Sequence, residues 1–184
     1  DGLSTPEEVV VAAKNKGLKS VAFTDHGSCH SHADAHFAGK KHGQKVVFGS
    51  EAYVIHDLAE WNILKERHNA ERKAKGKKDT ADGEMGVELE KLDSKLLRRK
   101  GHLVLLACNL KGLSNLNMLT YRAFRDGFYG KPRMDKVMLR EHAEGLVASS
   151  ACMGGVISKV CWDVKDGKAT WEDAVRETLE FQDI

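Results

Sequence analysis

Imidazoles, carboxylates and thiols that could hold a divalent metal stand at suggestive places in this chain. The stretch TDHGSCHSHADAHFAGKKHG, residues 24–43, carries five of the nine histidines: His26, His30, His32, His36 and His42. Neutral imidazole is the commonest nitrogen ligand of zinc and related cations. His30-x-His32 is the pair met first, and His32 and His36, four apart, would share one helix face. Other candidates follow short apolar runs. Asp25 and His26 follow SVAFT, Glu51 follows VVFGS, and Cys152 follows GLVASSA. In parallel α/β folds the chemistry sits at the carboxyl ends of strands, so these residues are expected to share one rim. A mixed imidazole, carboxylate and thiolate shell suits zinc or a similar borderline cation. Two or three such ions a few ångströms apart would suit phosphate-ester hydrolysis. Met singly, each residue is more often an ordinary core or loop residue, so convergence carries the reading.

The elements that must position these groups can be read from punctuation and periodicity. Thr5-Pro6-Glu7-Glu8 opens a helix with a capping box and a proline at the first turn, and Gly17 ends it. SVAFT at 20–24 has strand length, 31–41 reads as a helix, and 44–48 and 52–55 read as strand material. HLVLLA at 102–107 and GLVAS at 145–149 are further strands, while 112–126 and 170–182 are amphipathic helices. The first of these helices presents Leu113, Leu116, Leu119, Tyr121 and Ala123, and the second Trp171, Ala174, Val175 and Leu179. Residues 57–100 differ, with dense charge and two helical patterns broken around Lys78 to Gly86, as in a surface insertion or a long crossover. Strands alternating with helices predict a parallel sheet wrapped by helices. A barrel is favoured over an open doubly wound sheet, because no Gly-x-Gly-x-x-Gly turn marks a dinucleotide crevice.

Composition narrows the function. The 184 residues suffice for one domain with a real core. The balance of 29 basic to 27 acidic residues, formally +2, argues neither for a polyanion partner nor for a membrane surface. No apolar run has the length of a bilayer span. Cys29, Cys108, Cys152 and Cys161 show no C-x-x-C spacing, which fits a reducing, cytoplasmic setting in which most thiols are small buried side chains. Aromatic residues are scattered, so no stacking platform for single strands is visible.

Five segments, in order, resemble a known family: TDHG at 24–27, GSEAYV at 49–54, HLVLLACNLKGLSNL at 102–116, GFYGKPRMD at 127–135 and GLVASSACMGG at 145–155. They are similar to the polymerase and histidinol phosphatase (PHP) domain, and more narrowly to the PHP domain of bacterial C-family replicative polymerases, the DNA polymerase III alpha subunits. TDHG occurs across PHP phosphoesterases, whereas the Glu-Ala-Tyr-Val, Lys-Pro-Arg and Ser-Ala-Cys-Met-Gly-Gly segments carry the narrower likeness. The resemblance spans most of the chain apart from 57–100.

The resemblance implies an α/β fold, a distorted seven-stranded barrel incomplete here at both ends, with two or three divalent metals (zinc, manganese, iron or magnesium) at one rim. The family's ligands fall on Asp1, His26, Glu51, His102 and Cys152, with Asp25 behind His26 as the group that orients its ring. The family's His-x-His before Asp1 and its Asp-x-His beyond Ile184 are not present in this sequence. The expectation is therefore a partial PHP domain over 1–184, part of a larger polymerase chain. Polymerase carboxylates would lie in another domain, so the functions implied are 3'-5' exonuclease proofreading or pyrophosphate hydrolysis. The rivals are a structural module organising polymerase and proofreading-subunit contacts, and a stand-alone phosphatase for small phosphate esters. Implied partners are DNA, the remaining polymerase domains, a proofreading exonuclease subunit and other replisome proteins. Lys131 and Arg133, flanking Pro132, are candidate phosphate contacts. Within the histidine-rich stretch, only His26 keeps a claim as ligand, and the other rings are expected on the helix leaving the rim.

Overall fold

The structure, a computed structural model, describes residues 2–75 and 94–182. In chain order the elements are α1 (Pro6–Asn15), β1 (Ser20–His26), α2 (His32–His42), β2 (Lys45–Val54), α3 (Leu58–Lys75), α4 (94–98), β3 (Gly101–Ala107), α5 (Leu110–Asp126), α6 (Lys136–Glu141), β4 (Leu146–Ser149), α7 (Val156–Lys165) and α8 (Trp171–Gln182). The capping box forms as its residues dictate, with the Glu8 N–H donating to Thr5 Oγ1 and the Thr5 N–H to Glu8 Oε2 at 2.7 Å. Gly43, in the left-handed region at φ 65°, closes α2. The two strand pieces expected at 44–48 and 52–55 are one continuous strand. Helices α6 and α7 have no counterpart in the sequence reading, and the expected break at 78–86 lies outside the described residues.

The four strands form one mixed sheet in the order β1-β2-β3-β4. β1 and β2 are parallel, whereas β3 is antiparallel to both β2 and β4. This corrects the expected all-parallel sheet. The connection through α3 and α4 leaves β2 at one rim and re-enters beside that rim, so β3 must start there and run back. In consequence the carboxyl ends of β1, β2 and β4 share a rim with the amino end of β3. Among the described residues the sheet has four strands, and it is open.

Burial differs between the two faces. Ala52, Val54, Leu103 and Leu105 point one way and pack with Leu116, Leu119 and Ala123 of α5, Met138 and Leu139 of α6, and Leu97. Phe23 continues that face into a smaller cluster with Val10, Ala35 and Ala38. The opposite face carries His26, Glu51, Tyr53 and His102, together with Val47, Val104, Leu106 and the 52% exposed Val147. On α5 the buried positions follow helical spacing, but Tyr121 points outward. On α8 only Ala174 of the expected apolar face is buried, and Trp171, Val175 and Leu179 are exposed among the described residues.

Helix α5 sits close to the turn that feeds β4. Asn109 caps it through Gly112 N–H at 2.9 Å, and the Cys108 N–H donates to Gly145 O. A Cβ on Gly112 would lie 1.8 Å from Gly145 O, with backbone on both sides of the contact. Gly112→Ala is therefore expected to lower unfolding stability by about 1–3 kcal/mol, read as a fall in the urea midpoint at unchanged slope. An unchanged midpoint would mean that the α5 to β4 approach is looser than described.

Candidate metal centre

Strand register builds the site. His26 pairs with Glu51 across β1 and β2, and Tyr53 pairs with His102 across β2 and β3. Residues directly opposite, and residues two apart on one strand, share a face. His26, Glu51, Tyr53 and His102 therefore stand together on the face not covered by the helices. Gly27 locks the end of β1 to β2, its N–H donating to Glu51 O at 2.9 Å. It does so at φ 63°, and a Cβ there would meet the Tyr53 ring at 2.8 Å and Pro132 at 2.9 Å, so the glycine of TDHG has both a conformational and a steric reason.

Cys152 arrives by a different device. The His102 N–H donates to Gly154 O at 3.0 Å, which ties the loop after β4 to the start of β3. Within that loop the Gly155 N–H donates to Cys152 O at 2.7 Å, and Gly154 N–H approaches Cys152 Sγ at 3.3 Å. That last contact helps to fix where the sulfur points.

Glu51, His102 and Cys152 each offer a ligand atom, and these atoms lie within 4.8 Å of one another. His102 Nδ1 is 3.1 Å from Glu51 Oε1 and 3.4 Å from Cys152 Sγ. Zinc bonds of the usual lengths in a tetrahedral shell leave neighbouring donors about 3.3–3.6 Å apart. The donor set and its spacing thus fit a divalent cation. The second oxygen of Glu51, Oε2, contacts His26 Nδ1, so the carboxylate faces His102 with one oxygen and His26 with the other. His102 has its pKa pushed below the ordinary histidine value, first by burial and then by Lys100, His26 and Lys159, against the opposing pull of Glu51. Its ring is neutral at pH 7 and keeps a lone pair for a metal.

Not every expected residue takes its expected place. Asp1 lies outside the described residues. Asp25 is next to His26 in the strand and so points to the opposite face. Its Oδ2 accepts from Ser31 N–H at 2.7 Å, fixing the turn into α2, and this corrects its expected role of orienting the His26 ring. Arg133 is not a surface phosphate contact. It is 1% exposed, donates from Nη1 to Tyr129 O and Lys131 O, and lies over Trp61 at 5.2 Å. Three of the other four histidines of the rich stretch work locally: His32 Nε2 contacts Gly49 O at 2.8 Å, His36 packs on Phe48, and His42 meets Glu7. Cys29 is half-buried beside Thr120, and burial raises its thiol pKa, so it is a packing residue.

The sequence reading passed over Tyr53 and Lys100. Tyr53 is 3% exposed, stacks against His26 at 6.5 Å and meets the His102 ring edgewise at 5.3 Å. The tyrosine of Glu-Ala-Tyr-Val and the lysine two residues before His102 were the available signals, and only strand register gives them meaning.

A PHP domain family model matches residues 1–184 of the chain. The chain belongs to the PHP domain family. It is homologous to DNA polymerase III alpha subunits. That of Helicobacter pylori strain J99 is 31% identical over 189 residues, covering 100% of this chain and 13% of that protein. That of Borreliella burgdorferi is 30% identical over 184 residues, again 100% and 13%. That of Aquifex aeolicus is 33% identical over 156 residues, 85% of this chain and 11% of the other. This PHP chain thus spans about an eighth of the length of the relatives it matches. Among solved structures, a Bifidobacterium adolescentis protein whose assignment as a metal-dependent phosphoesterase is itself an inference aligns over 95% of this chain and 51% of its own. That superposition has a TM-score of 0.37 at 16% identity.

If Glu51, His102 and Cys152 are the donors, His102→Ala and Cys152→Ala should each weaken zinc binding by more than about a hundredfold, beyond the 10–100-fold typical of outer partners. His32→Ala should leave zinc stoichiometry unchanged. Competition with a chromogenic chelator reads both, and a His32→Ala protein that loses zinc would return the site to the histidine-rich stretch.

Proposed function

We propose that this chain is the PHP portion of a replicative DNA-directed DNA polymerase, and that its donor face is a metal-dependent phosphoesterase site. The reaction is removal of a 3' nucleotide, as in 3'-5' proofreading, or hydrolysis of pyrophosphate. The observation that supports it is the convergence of Glu51, His102 and Cys152, with His26 on the far oxygen of Glu51. Divalent ions, when bound, supply Lewis acidity toward a phosphate oxygen and toward water. The residues' own contributions are separate. Glu51 presents an oxygen to each side, the neutral His102 ring offers Nδ1, and the glycine loop aims Cys152 Sγ. Asp1 completes this set in the reading. In the reaction water adds to phosphorus, the bond to the leaving oxygen breaks, and a proton from water ends on that oxygen.

The fold proposed for the complete domain is the seven-stranded barrel. In its support, the face that bears the site also carries Val47, Val104, Leu106 and Val147, apolar residues suited to a barrel interior. In this reading residues 57–100 are a charged helical insertion or a long crossover. Zinc, manganese, iron or magnesium would occupy the rim, two or three ions together. In this reading DNA, the remaining polymerase domains, a proofreading exonuclease subunit and other replisome proteins are the partners, in the cytoplasm. No helix among the described residues is long and apolar enough to cross a membrane.

The full-length protein, supplied with zinc or manganese, should release 3' nucleotides from a labelled primer or phosphate from pyrophosphate. His26→Ala and His102→Ala should each reduce that rate to background. Hydrolysis that survives both substitutions would overturn the assignment. A protein that binds metal through these residues without hydrolysing either substrate would make the domain a structural module, and selective hydrolysis of small monoesters would make it a phosphatase.

A further inference from the structure

We propose that Lys100 and Lys131 form a two-ammonium clamp for a second phosphate of the substrate, next to the phosphate hydrolysed at the Glu51, His102 and Cys152 donors. The inference rests on the hydrolytic reading above and specifies its substrate class: compounds in which two phosphates are neighbours, whether along a nucleic-acid strand or in pyrophosphate.

Tyr53 is the reference point. Its buried ring touches the rings of both site histidines, His26 and His102. The same ring carries two ammonium groups, Lys100 Nζ at 5.3 Å and Lys131 Nζ at 5.5 Å from its centroid. Both distances are within cation–π range. The two cations therefore stand one aromatic ring away from the metal donors.

Their placement is built. The loop that bears Lys131 is clamped from beneath by Arg133, whose buried guanidinium donates to Tyr129 O at 2.8 Å and to Lys131 O at 2.7 Å. The Met134 N–H donates to Tyr53 O at 3.0 Å, which pins the loop to β2. Lys100 precedes β3 directly, and its carbonyl accepts from Lys159 Nζ. Arg133 is thus a positioning residue, and the two lysines are the groups it and β3 present.

Neither ammonium has a carboxylate partner among the described residues. Other lysines do have such a partner: Lys41 pairs with Glu7, Lys111 with Glu144, Lys168 with Asp166, and the buried Lys136 with Glu177 and Glu180. Two like charges held on one ring without a counter-ion are unfavourable unless an anion joins them. A phosphate meets that need, accepting from both ammoniums. Because the metal donors already claim one phosphate, the clamp claims its neighbour.

The test compares the metal-loaded full-length protein with its Lys100→Gln and Lys131→Gln variants on three substrates: a labelled single-stranded oligonucleotide, pyrophosphate and p-nitrophenyl phosphate. The loss of kcat/KM on the first two should exceed the loss on p-nitrophenyl phosphate by about tenfold, the scale of one charge-assisted contact, and should appear mainly in KM. A selective loss on the oligonucleotide or on pyrophosphate identifies which of them supplies the second phosphate. Equal loss on all three substrates, or none on any, overturns the clamp. An independent measurement uses the wild-type protein: acetylation of individual lysines, read by peptide mass spectrometry, with and without pyrophosphate or oligonucleotide. Lys100 and Lys131 should be protected and Lys16 should not. Protection without hydrolysis of any substrate would retain the clamp and remove the hydrolytic reading. Absence of protection by either anion would remove the clamp even if hydrolysis is found.

Discussion

The register between β1, β2 and β3 is the constraint on which the rest of the molecule depends. Because side chains alternate across a strand, a slip of one residue in β2 would carry Glu51 to the helix-covered face and Ala52 to the open one. The slip is prevented by burial on the far side. Ala52, Val54, Leu103 and Leu105 are each at most 4% exposed, and fully burying an aliphatic side chain of valine or leucine size is worth about 1.5–3 kcal/mol. The polar face is therefore held in place by the apolar one. Gly27, bonded to the Glu51 carbonyl, and Met134, bonded to the Tyr53 carbonyl, then fix β2 at the two points that matter for the donors.

The antiparallel course of β3 is what allows His102 to join. A histidine at the beginning of a strand would be remote from the rim in an all-parallel sheet. With β3 reversed, its first residues lie beside the last residues of β2, and the loop after β4 closes over them through the His102 to Gly154 bond. The donors then come from the ends of three rising strands and the start of one descending strand. The same reversal puts Lys100, two residues upstream, at the Tyr53 ring.

What could be read from the sequence was the local part. The capping box at Thr5, the strands around 20–24, 102–107 and 145–149, and the helices over 31–41, 112–126 and 170–182 follow from short-range punctuation and period, and all are present. Glu51, His102 and Cys152 were legible through motif resemblance, and the structure brings those three together. Strand direction was not legible, because periodicity is the same for a strand running either way. Nor were the fates of Asp25 and Arg133. Asp25 depends on which side of β1 it occupies, and Arg133 depends on Tyr129, Lys131 and Trp61 enclosing it, a tertiary arrangement that an Arg beside a proline does not announce. Helix α6 has only six residues, too few for a period to show, and α7 begins directly after the Cys-Met-Gly-Gly segment, whose glycines mask its start.

The histidine-rich stretch and the assembled site also differ in what a bound ion would do to folding. A contiguous run such as His30 to His36 could offer several rings to a metal in the unfolded chain, and binding to the unfolded state subtracts from any stabilisation. Donors on β1, β2, β3 and the loop after β4 meet only when the sheet is formed, so an ion there binds the native state almost alone and its binding free energy adds to folding. Three of the other four rings of the stretch are already engaged, His32 on Gly49 O and Phe48, His36 on Phe48 and His42 on Glu7. Withdrawing them to hold a metal would break contacts that seat α2 on the sheet and on α1. Local histidine density is thus a poor guide to the metal centre here, and the isolated His26, whose partners are distant in sequence, is the ring whose position depends on the fold as a whole.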